Sequence, residues 1–429
     1  MKREFEIYEN AVLNEKFYSL KHESGLTVQV FPKKMSSLYA VYAVKFGSVN
    51  NRFSVGGKDF RIPDGVAHFL EHKMFEGKNG KNAFELYAEY GASANAYTSA
   101  LNTAYLFSSA EDHEKCLGVL LDFVNDPYFT EENIKKEQGI ISQEIGMYDD
   151  NPFSRLYYAT LKLLYKNHPV RNNICGSVSS ISEITPELLY NCYNAFYRPE
   201  NMVLCVCGDI SPERVLAIVD GKLTAKSGDA AVLTSPDEPD EINEKYAELK
   251  MDISKPMVSV AFKDNDIPAG AKNVLKRSLC MEILCELLFG KSSAFYDKMY
   301  SEGLISSSFS AEYIEYTDCG SVMIFDESGD DKALKEAVLS EVKNAIGKPF
   351  SKDDFERVRR SRYSESVRSF DSTDDIANDM MRSYFSGYNV FSEPDMLSAI
   401  KYSDVLECLS VFKEENCVTA KIIPTMQRG

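Results

Sequence analysis

The chain has 429 residues, with 48 Lys+Arg against 65 Asp+Glu and a formal charge of −17. At roughly 150 residues per domain, that length suggests two to three domains. A composition of 44% hydrophobic and 26% charged residues is that of a soluble globular protein rather than a disordered one. The acidic balance argues against a nucleic-acid binder, which needs a basic excess to meet phosphate.

The opening MKREFEIYENAVLNEKFYSL is charged throughout and offers no apolar run for a signal segment, and no stretch approaches the roughly 20 apolar residues of a membrane span. Strand-like runs follow at Leu26–Phe31 and Tyr39–Phe46, both rich in β-branched and aromatic residues. Helices are expected at Gly65–Glu76 and Ala83–Tyr90, then an extended stretch at Ala94–Phe107. Helical patterns continue through Asp112–Asn125, Thr130–Tyr148, Arg155–Tyr165 and Pro186–Phe196. The apolar run Met202–Cys207 reads as a buried strand, with Cys205 and Cys207 as inert core thiols rather than ligands. The ten cysteines lack zinc-ribbon spacing; reduced thiols without an export signal point to the cytoplasm.

Between Lys222 and Lys250 the texture changes. Ser227-Gly228-Asp229 and the acidic, Pro-punctuated Pro236–Glu241 read as a solvated linker over 223–250. The order of elements then partly recurs: a strand at Met257–Phe262, helices at Lys272–Phe289 and Ser293–Glu302, extended segments at Ser306–Tyr313 and Ser321–Phe325, three or four helices, and a last strand at Cys417–Ile423. The recurrence predicts an α+β protein of two related domains, 1–222 and 251–429. Each is a mainly antiparallel sheet with helices packed on one face.

Histidine is scarce: His22, His68, His72, His113 and His168 are the whole set, so any imidazole chemistry lies before residue 169. On a helix at 100° per residue, His68, Glu71, His72 and Phe75 share one face, opposite Val66, Phe69, Leu70 and Met74. The i, i+4 spacing lets two imidazoles reach one metal ion, and the carboxylate at i+3 can hold a metal-bound water. This is the H-x-x-E-H order of the inverzincins. His22, His113 and His168 sit in polar loop or helix-edge contexts and read as plain surface or loop histidines, so a carboxylate is the better third ligand. The Thr130–Tyr148 helix, with Thr130 as N-cap, offers one. Its apolar arc holds Ile134, Ile141, Ile145 and Tyr148 on one flank and Ile140 and Met147 on the other, with Glu137 and Glu144 between them. Two glutamates in an apolar stripe need compensating charge, either a divalent cation or a Lys or Arg from another element.

His68-Phe69-Leu70-Glu71-His72, followed 72 residues later by Glu144, resembles the insulinase (pitrilysin-type) zinc metallopeptidases. The likeness extends to Gly91–Thr98, to Gly176–Ser182, to Tyr197–Met202 with Gly208-Asp209, and more weakly to Ser293–Gly303 with Gly320. It is nearest to the paired insulinase-like peptidases of Gram-positive bacteria, with an architecture like the mitochondrial processing peptidase β subunit. The resemblance implies two domains forming a half-shell, the first catalytic and zinc-binding, the second catalytically silent. It implies Zn2+ held by His68, His72 and Glu144, with Glu71 as the general base. Glu137 would support the site by orienting His72, and Asn95 and Ala96 would take a peptide substrate by β-augmentation. Family assemblies draw an Arg and a Tyr from a second-type domain. The corresponding strand here, Gly320–Gly329, lacks that pair. A homodimer, or a heterodimer with a related chain that supplies the pair, is therefore expected, with no nucleic-acid or membrane partner. The resulting expectation is a zinc-dependent endopeptidase. The alternatives are a non-catalytic partner or scaffold of the same family, and a zinc hydrolase of small molecules.

Overall fold

The computed structural model describes residues 4–78, 80, 82–226, 228–316 and 318–425; Ser227 of the expected linker lies outside them. Among the described residues, no helix is long and apolar enough to cross a membrane.

The chain forms two compact units. The first comprises Met1–Ile145, Asn173–Ser235 and Val367–Phe391; the second comprises Gly146–Asn172, Pro236–Ser366 and Ser392–Gly429. The step from Ser235 to Pro236 falls inside the expected linker. The segments 146–172 and 367–391 each join the unit built mainly from the other half of the chain, which no local pattern announces.

The first unit is built on β1 (Glu6–Asn10), β2 (Glu15–Lys21), β3 (Thr27–Pro32), β4 (Leu38–Val44), β7 (Ser93–Thr98), β8 (Thr103–Ser109) and β9 (Met202–Gly208), with β5 (Arg52–Val55), β6 (Lys58–Arg61) and β10 (Val232–Leu233) in a small separate sheet. The main sheet runs β1-β2-β3-β9-β4-β8-β7, antiparallel except where β3 meets β9. In β9 the two-residue period of a strand is visible in the packing. Met202, Leu204 and Val206 join one core, Val203, Cys205 and Cys207 the other. The first core is shared with α1 (Val66–Met74), α2 (Ala83–Glu89), α3 (His113–Asn125) and the N-terminal part of α4 (Glu131–Asp150). The opposite face receives the helix Thr373–Ser386, whose Ile376, Ala377, Met380 and Met381 pack on Val41, Ala43, Val203 and Cys205. Burial of Cys207 pushes its thiol up to about 12, and Cys205 is raised as well, so both are inert at neutral pH.

The second unit holds α5 (Pro152–Leu164), β11 (Tyr246–Met251), β12 (Met257–Asp264), β13 (Ser310–Glu315), β14 (Gly320–Asp326) and β15 (Cys417–Pro424). Its sheet runs β11-β15-β12-β14-β13, antiparallel except for β11 with β15. This repeats, in chain order and in sense, the wiring of β3, β4, β7, β8 and β9, which carries the inferred relation between the domains into topology. Two parts of the expected linker are strand: Val232–Leu233 pairs with β5, and β11 begins at Tyr246. Pairing with distant strands ordered a segment whose acidic, Pro-punctuated sequence reads as solvated chain.

α1 is fixed at its start by two glycines. Gly65 caps the helix at φ 94° and Gly176 stands at φ 74°, both left-handed. A Cβ on Gly65 would lie 2.5 Å from the Cys175 carbonyl oxygen, and one on Gly176 would lie 2.4 Å from the Asp64 carbonyl oxygen. Two backbones therefore touch where α1 begins. Gly65→Ala is expected to lower stability by about 1–3 kcal/mol through strain and overpacking. Gly118→Ala, on α3, where the nearest atom is Lys222 Cε at 3.9 Å, should leave stability unchanged or raise it. Denaturant titration of both variants checks the pair.

Candidate metal centre

α1 presents His68, Glu71 and His72 on one side and packs Val66, Phe69, Leu70 and Met74 into the core on the other, as the helical period requires, and His68 is itself buried. Phe75 departs from the expected face. It follows the last helical residue, is buried, and stacks on Phe84 and Phe123, because the chain turns into the core there. α4 begins with the expected cap: Asn133 N–H donates to Thr130 Oγ1, and Thr130 N–H donates to Asn133 Oδ1. Along α4, Ile134, Ile141 and Ile145 are buried with Glu137. The second apolar flank is not buried, with Ile140 45% and Met147 72% exposed, and Tyr148 at the end of the first flank is 43% exposed.

α1 and α4 bring together His68, His72 and Glu144, whose ligand atoms all lie within 4.8 Å of one another. His68 Nε2 stands 3.6 Å from Glu144 Oε1, and His72 Nε2 stands 3.5 Å from Glu144 Oε2. These separations are long for hydrogen bonds. They are close to the roughly 3.3 Å expected between donors that share one tetrahedral ion at about 2.0–2.1 Å. The donor set, two imidazoles and a carboxylate, is that of a catalytic zinc with an open position. His72 Nδ1 is 3.0 Å from Glu137 Oε1, which turns Nε2 toward the cluster as a lone-pair donor. The residues therefore fit zinc.

The charges are balanced locally. Burial would lower the His72 pKa, but the bond to Glu137 and the carboxylates of Glu71, Glu137 and Glu144 outweigh it and raise it. Burial would raise Glu137, yet the His72 bond and the Lys73 ammonium hold it below the usual carboxylate range. The His68 imidazole holds Glu144 low against the opposing effect of burial.

Three participants were not foreseen. Lys73, fully buried, reaches Glu76 Oε2 at 2.5 Å and Glu137 Oε2 at 3.5 Å. The signal was present: residue 73 is three, four and seven positions from Leu70, Phe69 and Val66, on the buried face. Thr98 Oγ1 donates to Glu71 Oε2 at 2.7 Å. Cys175 Sγ lies 3.9 Å from His68 Nε2, with burial raising its thiol to about 12. Asn95 and Ala96 lie on β7, the edge strand of the main sheet, and Ala96 N–H donates to Asn95 Oδ1.

His22 and His168 stand in loops, as one of the two readings has it, but are buried rather than at the surface. His22 is held between Ser24 and Asp220, His168 between the Val170 amide and Asp318. His168, Asp318 and Cys319 also cluster within 4.8 Å. There, His168 Nδ1 already accepts the Val170 amide and Nε2 faces Asp318, so no imidazole lone pair is left for a metal.

The sequence model of the insulinase family (peptidase family M16) matches residues 59–177, and that of the peptidase M16 inactive domain matches residues 183–362. YmfH, an uncharacterised zinc protease of Bacillus subtilis, is 39% identical over 422 residues, 96% of this chain and 97% of its own length. YmxG, another uncharacterised zinc protease of that organism, is 27% identical over 62% of this chain and 64% of its own length. Among solved structures, an M16-like peptidase of Alicyclobacillus acidocaldarius superposes with a TM-score of 0.91 at 30% identity, over 99% of this chain and 100% of that one. A protease of Helicobacter pylori shares the fold with a TM-score of 0.82 at 19% identity, over 96% of this chain and 100% of that one.

Glu137→Gln is expected to weaken zinc binding about 10–100-fold in chelator competition, because the amide is a poorer acceptor for His72. In the metal-free protein, NMR titration should find His72 protonated above its ordinary value of 6.5. A raised folded value adds stability that is complete below the unfolded value. It is lost as pH rises through the folded one. Zinc loading should accordingly strengthen as pH rises through that same range, since zinc and the proton compete for Nε2.

Proposed function

Since this chain belongs to the insulinase family of peptidases, peptidase family M16, we propose that it is a zinc-dependent endopeptidase acting on peptides or short unfolded segments. The observation that carries this reading is the convergence of His68, His72 and Glu144 on one point, with the Glu71 carboxylate on the same turn of α1. These three residues would hold the ion, with Glu137 orienting His72 and Lys73 neutralising Glu137. Zinc, when bound there, supplies a Lewis acid that acidifies water and polarises a peptide carbonyl.

Glu71 is the general base: its carboxylate takes a proton from the attacking water and returns it to the leaving amine nitrogen as the C–N bond breaks. Among the described residues the main sheet ends at β7, which has β8 on one side and no paired strand on the other. Asn95 and Ala96 would pair there with the backbone of an extended peptide, a substrate shape that favours peptides over small metabolites. The second unit repeats the sheet wiring but contains no histidine beyond His168, so the chemistry is assigned to the first unit alone.

Glu71→Gln should retain zinc at wild-type stoichiometry and lose about 100-fold or more of turnover, the scale of a lost general base. Metal analysis, together with mass spectrometry of the products from a peptide library, tests this. A Glu71→Gln protein with full turnover would remove Glu71 from the reaction.

A further inference from the structure

We infer that Thr98 is a positioning residue for Glu71. It holds Oε2 of that carboxylate so that Oε1 is the oxygen that receives and returns the proton, an assignment that rests on the peptidase reading above. The pleat of β7 sets the side on which Thr98 projects. Ala94, Ala96 and Thr98 alternate with Asn95 and Tyr97. The two alanines pack on the core shared with α1, whereas Tyr97 packs on the other. Thr98 therefore projects toward α1, where its Oγ1 lies 2.7 Å from Glu71 Oε2.

Proton counting fixes the direction of that bond. A carboxylate only accepts, so the single hydroxyl proton of Thr98 goes to Glu71. Thr103, paired with Thr98 across the hairpin, stands 3.3 Å away, but its own proton is donated to the Phe46 carbonyl oxygen at 2.9 Å. It neither competes for Oε2 nor donates to Thr98. Thr103 is fully buried, which gives the hydroxyl pair a rigid footing. Among the described residues, Thr98 is the only side-chain partner of Glu71, leaving Oε1 open. When Glu71 takes a proton from water on Oε1, the Thr98 bond to Oε2 persists, and the same orientation delivers that proton to the amine. Because Thr98 sits two residues beyond Ala96 on the edge strand, a peptide paired to β7 and the base that acts on it share one rigid element.

The test compares zinc-loaded wild type, Thr98→Val and Thr98→Ser in steady-state peptide cleavage, with chelator competition for zinc and a crystal structure of Thr98→Val. Valine keeps the branched shape and suits a strand. The expectation is that kcat in Thr98→Val falls about 10–100-fold, the cost of a misaligned group. KM and zinc affinity stay at wild-type values, Thr98→Ser recovers most of kcat, and the Glu71 carboxylate is rotated in the Thr98→Val crystal. Wild-type kcat in Thr98→Val, an unmoved carboxylate, or a loss of zinc affinity that parallels the loss of kcat would overturn the assignment. Wild-type protein that binds zinc but cleaves no peptide would sink the peptidase reading instead. The orientation of Glu71 in the Thr98→Val crystal would still decide the role of Thr98.

Discussion

Three glutamates, Glu71, Glu137 and Glu144, gather around two imidazoles, and the negative charge they collect has to be balanced where water is scarce. A partly buried carboxylate without a partner is among the more costly arrangements a fold can hold. Each glutamate has its own answer. Glu137 lies between the His72 ring and the Lys73 ammonium, Glu71 accepts a hydrogen bond from the Thr98 hydroxyl, and Glu144 faces both imidazoles at distances that leave space for a cation. The burial of Lys73, the tautomer of His72 and the orientation of Glu71 all follow from that balance.

The fold supplies the precision. Two glycines pressed together at the start of α1 set the helix against the segment that carries Cys175, and the i, i+4 period then aims both rings. α4 brings Glu137 and Glu144 seven residues apart, two turns of one face, so a single helix provides both the carboxylate at the cluster and the one behind it. The same five-strand wiring occurs twice in the chain, once beside this centre and once in a unit whose one imidazole, His168, already has both ring nitrogens engaged. One copy of the unit carries the donors and the other does not.

Much of this was legible because it is local. The polar face of α1, the cap at Thr130 and the alternation of Met202–Gly208 are written in spacings of two, three and four residues. Phe75, Ile140 and Met147 were misjudged because the helical period says which residues share a face, not where the helix stops or what covers it. Lys73 could have been read as buried from its spacing, but only the positions of Glu76 and Glu137 explain how an ammonium survives there. His22 and His168 looked superficial because their neighbours in sequence are polar; Asp220 and Asp318, 198 and 150 residues away, bury them in hydrogen bonds. The crossing of 146–172 and 367–391 between units is likewise a matter of distant packing, of Met380 and Met381 on Val203 and Cys205, with no local trace.

The central claim is that one zinc ion is held by His68, His72 and Glu144 and by no thiolate. X-ray absorption at the zinc edge of the loaded protein tests it most directly. The account predicts a first shell of two nitrogens and one or two oxygens at about 2.0–2.2 Å. It predicts loss of that shell in His72→Ala. A sulfur scatterer at about 2.3 Å, drawn from Cys175 or from the His168–Asp318–Cys319 cluster, would contradict it.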